Sequence, residues 1–258
     1  MAVDPKIAKP GIEVASVTDV GLQRANNEDS CLYWEPDGDE EFRRKGRLAV
    51  VADGMGGYEG GQEASRLAVE TVRSVYDNAS GNDPQKALVE ALVSAHRNIQ
   101  RYAEEHPELL GMGTTCTALA IVGQELHFAH VGDSRLYLVR GDSIARLTRD
   151  HSYVGRLVES GLVRSEDAES HPHRHILTAA LGSGTEIEPD FPESPVVLEK
   201  EDTLVLCTDG LWSLVKEQDL GHTVRAHSAE KSCYALVNMA LERGGPDNIT
   251  VLVLRVSA

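Results

Sequence analysis

Several things are scarce in this chain, and each scarcity removes a class of function. No stretch approaches the run of about 18 apolar residues that a membrane-spanning helix requires; the longest apolar run, residues 116–122, already contains Thr117. The opening residues, MAVDPKIAKPG, lack the apolar core of a secretory leader. Basic side chains are outnumbered, with 25 Lys plus Arg against 41 Asp plus Glu, a net charge of −16 over 258 residues. Nucleic-acid affinity comes largely from basic groups neutralising phosphates, so neither nucleic acid nor an anionic membrane surface is an expected partner.

Cysteine is sparse too. Cys31, Cys116, Cys207 and Cys233 are scattered and form no CxxC pair. Two of them fall inside apolar runs that read as buried strands. Core thiols in a reducing, cytoplasmic compartment are therefore expected, rather than disulfides or zinc ligands. GxSxG and HExxH are both absent, and no GK[ST] follows the glycine-rich segment. Serine hydrolases, zincins and P-loop enzymes thereby lose support. With no internal repeat and no Pro/Ser-rich linker, residues 1–258 are expected to form a single domain.

What is present alternates between strand and helix patterns. Strand-like runs occupy residues 12–18, 30–34 and 47–52, the last two joined by the polar segment EPDGDEEFRRKG, which reads as a long hairpin tip. Residues 62–77 and 84–106 carry apolar side chains at helical spacing, the second behind an Asp83–Pro84 cap. Four strands follow at about 114–122, 125–131, 135–140 and 143–147, with tight VGQE and RGDS connections. After an irregular stretch with a short helix near 152–160 come a strand at 204–207, helices at 216–226 and 229–243, and a strand at 248–256. Hairpin-linked strands imply antiparallel pairing, and helix pairs need sheet faces to cover. The fold class expected is α+β: a four-layer α-β-β-α arrangement, with a central antiparallel β-sandwich flanked by helix pairs.

Four aspartates stand at the mouths of apolar strands: Asp53 after RLAVVA, Asp133 after ELHFAHVG, Asp209 after TLVLCT, and Asp247 before NITVLVLRV. In an antiparallel sandwich such ends can meet at one edge. Clustered carboxylates repel one another unless a cation neutralises them, and all-oxygen ligand sets suit Mg²⁺ or Mn²⁺. Asp53-Gly54 or Asp209-Gly210 alone is a common turn dipeptide; four aspartates at strand ends, with RANNED upstream, are harder to dismiss. The segment VVADGMGGYEGGQEAS lets the backbone approach a ligand closely, can offer a carbonyl ligand beside Asp53, and leads into a helix N-terminus that could face an anion. In GLQRANNEDS, Arg24 can grip a phosphate, with Glu28 and Asp29 close behind; a surface ion-pair cluster is the plainer alternative. HPHRH puts His171, His173 and His175 at alternate positions, which reads as a surface loop or a substrate-touching flap before a zinc site.

Together these residues resemble the metal-dependent Ser/Thr protein phosphatases, the protein phosphatase 2C family, in their bacterial form. The matching stretches run in family order: RANNEDS, VVADGMGG, GTTCTALAI, HVGDSRLYLVR, LTRDHSYVGRLVESGLV, HPHRHILTAALG, LVLCTDGLWSLV and GGPDNITVLVLRV. The resemblance implies two divalent metals, Mn²⁺ or Mg²⁺, at one edge of the sandwich. Asp53 would bridge both, Asp209 and Asp247 would complete one, and the Gly54 carbonyl would bind the other. Asp133, with Asp209, would hold a weaker third metal. Arg24 would bind the substrate phosphate, with Glu28 and Asp29 supporting it or metal-bound waters. Residues of about 150–181 would form a small flap subdomain beside the site.

The implied reaction is direct attack of a metal-activated hydroxide on phosphoserine or phosphothreonine. The implied partners are phosphorylated proteins, either substrates of bacterial Ser/Thr kinases or a kinase itself, met by a monomer. The alternative is a catalytically inactive module that binds phosphoproteins or a kinase. Three positions depart from relatives. Met55 replaces the histidine of many eukaryotic members, which leaves the proton donor open. Ser213 replaces an aspartate, which would loosen the third metal. Tyr58 stands where several bacterial members have histidine.

Overall fold

The computed structural model describes residues 2–3, 9–56, 59–164, 167, 171–184 and 186–257; the Tyr58 expectation lies outside them. In chain order the elements are β1 (Ala2–Val3), β2 (Ile12–Asp19), β3 (Asp29–Trp34), α1 (Asp39–Lys45), β4 (Arg47–Met55), α2 (Gly60–Asn78) and α3 (Pro84–Glu105). Then follow β5 (Gly113–Thr114), β6 (Cys116–Val122), β7 (Glu125–Val131), β8 (Arg135–Arg140), β9 (Ser143–Arg146) and α4 (Tyr153–Glu159). The chain continues with β10 (Val196–Val197), β11 (Thr203–Cys207), α5 (Asp209–Trp212), α6 (Glu217–Ala226), α7 (Ala229–Glu242) and β12 (Ile249–Val256).

The strands form two sheets, ordered β1-β2-β12-β11-β8-β9 and β10-β7-β6-β4-β3, with β5 also against β4. Every pairing is antiparallel. The central strands are apolar on both faces, and the alternation sorts them into three cores. Leu204 and Leu206 of β11, Leu136 and Leu138 of β8, and Leu252 and Leu254 of β12 meet Ala49, Val51, Leu119 and Ile121 from the other sheet. On the outer face of the second sheet, Val50, Ala52, Ala118 and Ala120 lie under α2 and α3. On the outer face of the first, Val205, Cys207, Val251 and Val253 lie under α6 and α7. Small residues face the helices and leucines fill the sandwich, which is the four-layer arrangement expected.

Some boundaries differ from expectation, for local reasons. The tip between β3 and β4 is not a bare loop. It holds α1, whose first turn is Asp39, Glu40 and Glu41 and whose last is Arg43, Arg44 and Lys45, a charge order that complements the helix dipole. Phe42 is covered by Lys9 and Arg47. The α3 start is as read, with the Lys86 N–H donating to Asp83 Oδ1 at 3.0 Å. The strand expected over 114–122 is broken at Thr115: Asp53 N–H donates to the Thr115 hydroxyl (2.9 Å) instead of a backbone carbonyl. The consecutive strands β7 and β8 do not pair, because residues 132–134 carry the chain from one sheet to the other.

The sandwich core sets the stability of everything attached to its edges. Leu206 is fully buried between the sheets. Leu206→Ala is expected to lower unfolding free energy by about 2–5 kcal/mol, measured as a lower urea midpoint at unchanged slope.

Candidate active site

The acidic residues singled out from the sequence are brought to one edge of the sandwich by the segments that cross between its sheets and by the ends of strands and helices there. Residues 20–28 link β2 to β3, residues 132–134 link β7 to β8, and α5 opens directly after β11. Asp53 does not follow a strand end. The β4 strand runs on to Met55, and Asp53 pairs across the ladder with Asp29, the first residue of β3. Cross-strand partners share a face, so the pairing sets two carboxylates side by side.

Charge alone shows how close the group is. Burial, then the fields of Asp29, Asp209, Asp133 and Asp247, push the Asp53 carboxyl well above the usual carboxylate range. Asp133 is raised in the same way by burial, Asp209 and Asp150, against the pull of Arg135. Asp29 is pushed up to about 7 by burial, with Thr250 and Thr208 hydroxyls opposing and Asp209 and Asp247 adding. Its Oδ2 accepts from the Thr208 hydroxyl at 2.8 Å, while its buried Oδ1 has no hydrogen-bond partner among the described residues. Mutually repelling carboxylates and an orphaned buried oxygen are what a bound cation would relieve.

Among the described residues, no three His, Cys, Asp or Glu side chains stand close enough to enclose an ion by themselves. The donor set fits a hard cation that keeps several waters and takes few carboxylates, as Mg²⁺ does, rather than a closed zinc site. The three histidines do not converge. His171 and His173 rings are 5.7 Å apart, and His175 instead places Nδ1 3.8 Å from Asp209 Oδ2.

The rim carries the one cation read from the sequence. Arg24 Nη2 donates to Asp247 Oδ2 at 2.8 Å. Partial burial works against the guanidinium's charge, but that hydrogen bond and the fields of Asp247, Glu28 and Asp53 prevail and raise its pKa. Glu28 acts on Arg24 through charge and is itself raised, first by burial. Asp29 lies deeper and does not touch Arg24; its partner is Thr208. The glycines have steric reasons. A Cβ on Gly54 would fall 2.1 Å from the Gly61 carbonyl oxygen and 2.5 Å from that of Glu28. A Cβ on Gly61 would meet Glu28 Oε2 at 2.4 Å, so the first turn of α2 already has an anion beside it, the protein's own Glu28.

The stretch expected to form a flap, about residues 150–181, is tied to the sandwich at both ends. At its entry, His151 N–H donates to the Gly132 carbonyl (2.6 Å), one residue from Asp133. At its exit, Leu181 and Thr114 exchange backbone hydrogen bonds (2.8 and 3.1 Å), and the Thr114 hydroxyl donates to the Asp53 carbonyl (2.8 Å). Gly182 N–H donates to His96 Nδ1 on α3 at 3.1 Å. Thr178 N–H reaches the His151 carbonyl at 2.8 Å, and Ser152 bridges Leu177, tying entry to exit.

The profile of protein phosphatase 2C matches residues 23–239. The chain belongs to that family. It is 36% identical over 245 residues to the serine/threonine protein phosphatase PstP of Mycobacterium tuberculosis, covering 95% of this chain but 45% of that protein's length. It is 34% identical over 252 residues to the protein phosphatase PhpP of Streptococcus pneumoniae, covering 95% of this chain and 98% of PhpP. Among solved structures it resembles the PstP catalytic domain in complex with two manganese ions, with TM-score 0.83, 33% identity, 96% of this chain and 99% of that one. It also resembles the Streptococcus agalactiae serine/threonine phosphatase, with TM-score 0.86, 33% identity, 95% and 100% covered.

Within this family member, residues that sequence reading passed over hold the edge together. Asn248 accepts from Glu28 N–H (2.8 Å) and donates to the Val20 and Asn26 carbonyls (2.9 Å each), clamping the Arg24 loop to β12. Its signal was only its place after Asp247. Trp212 Nε1 donates to the Asp133 carbonyl at 2.9 Å, under an Arg135 guanidinium 3.6 Å from its ring. Arg135 in turn holds Asp150 through two hydrogen bonds, 3.0 and 2.7 Å.

The raised Asp29 pKa has a signed consequence. The folded state holds a proton that the unfolded chain, with an ordinary value of 3.8, releases. That contribution to stability is full below the unfolded value and is lost as pH rises through about 7. In EDTA, Asp29→Asn is expected to melt above wild type at pH 8 and close to it at pH 4. A variant that melts below wild type at pH 8 would refute the assignment.

Proposed function

We propose that this chain is a metal-dependent phosphoprotein phosphatase, hydrolysing phosphoserine and phosphothreonine with two Mn²⁺ or Mg²⁺ ions at the carboxylate edge. The observation that carries the reading is Asp53, set among Asp29, Asp133, Asp209 and Asp247, whose fields all oppose its ionisation, with Arg24 at the rim. The family membership and the two manganese ions of the PstP catalytic domain support it.

In this reading Asp53 would serve both ions, Asp209 and Asp247 one of them and the Gly54 carbonyl the other, with water filling what the carboxylates of the described residues, not close enough to enclose an ion by themselves, leave open. Asp133, with Asp209, would serve a weaker third, for which Ser213 supplies no carboxylate. When bound, the ions supply an acidified water and offset charge on the phosphoryl group. The chain's own residues do the rest. Arg24, held charged by Asp247, turns its planar fork to the phosphate oxygens. Asn248 and the Glu28 backbone fix the loop that presents Arg24, so little ordering is needed on binding. Asp29 holds Thr208, the residue before Asp209, through its hydroxyl. Met55 carries no dissociable proton and Asp53, as a metal ligand, would have none to give, so β4 offers no proton donor to the departing alkoxide.

We read residues 1–258 as one catalytic domain with a flap at about 150–181, acting as a monomer in the cytoplasm against Ser/Thr kinases. Four free cysteines, and no helix among the described residues long and apolar enough to cross a membrane, fit that placement.

The test is phosphate release from a phosphothreonine peptide with and without Mn²⁺. Release is expected only with metal. Asp209→Asn is expected to keep the wild-type circular dichroism and to lose more than the roughly 10–100-fold that removal of a supporting residue costs. Wild-type turnover in that variant, or metal-independent turnover, overturns the site. Peptide retained by the wild type in EDTA without turnover under either condition would favour the binding module.

A further inference from the structure

Three of the large apolar side chains left in solvent stand beside the acidic edge. Leu22 is 66% exposed, Ile176 50% and Tyr153 44%. They occupy its two banks. On the flap, Tyr153 donates its N–H to the Ile176 carbonyl at 2.7 Å, and its ring meets His173 edge-on with centroids 6.1 Å apart. The next residue before Ile176 is His175, whose ring reaches Asp209. On the opposite bank, Leu22 donates its N–H to the Gly245 carbonyl at 2.7 Å and lies two residues from Arg24, which holds Asp247. Both banks are fixed by backbone hydrogen bonds yet leave their side chains uncovered.

A phosphopeptide whose phosphate lies between Arg24 and Asp209 must cross these banks. An extended chain advances about 3.3 Å per residue, so the residues within two positions of the phosphothreonine lie within about 7 Å of it. Leu22 stands two residues from Arg24, and Ile176 one residue from His175 at Asp209, so side chains at those positions would be the ones to meet Tyr153, Ile176 and Leu22.

Resting on the phosphatase reading above, we propose that Tyr153 and Ile176 on the flap, with Leu22 across the site, are specificity-determining residues that select phosphothreonines flanked by apolar side chains. The occupant is the substrate's own polypeptide, because the surface is continuous with the site that must hold its phosphate. Apolar contact of this size discriminates by about 10–200-fold. It does so in kcat/KM, since small aryl phosphates do not reach the banks.

The experiment compares kcat/KM, with Mn²⁺, for two phosphothreonine peptides that differ only in leucine or serine at the two positions on each side. Para-nitrophenyl phosphate is run on the wild type alongside. The wild type is expected to prefer the leucine peptide at least about tenfold. Tyr153→Ser/Ile176→Ser is expected to lose most of that preference, Leu22→Ser part of it, and Tyr153→Phe/Ile176→Val to retain it, all with wild-type melting temperatures. Equal kcat/KM for the two peptides in the wild type, or an unchanged preference in the serine double variant, overturns the proposal. If the wild type cleaves para-nitrophenyl phosphate but does not discriminate, only this proposal fails. If it cleaves neither the aryl phosphate nor the peptides, the phosphatase reading fails with it.

Discussion

Like charges forced together are what the rest of this structure is built to withstand. Asp29, Asp53, Asp133, Asp209 and Asp247 repel one another at a single edge, and no local backbone preference would assemble them. What holds them is the sandwich behind, where leucines of one sheet interlock with leucines and valines of the other. The apolar core therefore bears an electrostatic strain that it does not itself contain. A cation bound at the edge would turn that strain into binding energy, because the protein has already met the cost of gathering the carboxylates.

Chain crossings lie at the edge where the acidic residues gather. Arg24 and Asp133 occupy segments that pass from one sheet to the other, and Asp209 opens the helix that leaves β11. A crossing segment has no strand neighbour to satisfy its backbone, so side chains do so instead: Asn248 for residues 20–28, and Trp212 and His130 for residues 132–134. His130 is buried, and that burial lowers its pKa to about 4. It stays neutral and is free to brace the crossing at Gly132. Site and scaffold thus share one hydrogen-bond system.

Much of this was legible in the sequence, unevenly. Period-two alternation and long apolar runs gave the strands, and helical spacing gave both helix pairs. The strand-end aspartates pointed to a carboxylate edge. What stayed hidden depended on pairing partners. That Asp53 sits inside a strand follows only from its register with Asp29. That β7 and β8 belong to different sheets cannot be read from a short VGDS link, which looks like any hairpin turn. Asn248 and Trp212 are common residue types whose roles exist only through contacts distant in sequence. The helix α1 was missed because a polar segment with ordered charges resembles a loop when only apolar periodicity is counted.

The flap hangs from a short ladder. Its entry is bonded to its exit through His151, Thr178, Ser152 and Leu177, and its outer roots are bonded to Gly132 and Thr114. Among the described residues between Tyr153 and Ile176, His175 is the one that reaches a carboxylate, at Asp209. Changes of sequence or length within that stretch that spare His175 need not reach the carboxylates, whereas a change at either root would. The body of the flap is therefore an exchangeable cassette: one chemical centre can be given new preferences by grafting a loop, while the centre's own geometry stays as the sandwich sets it.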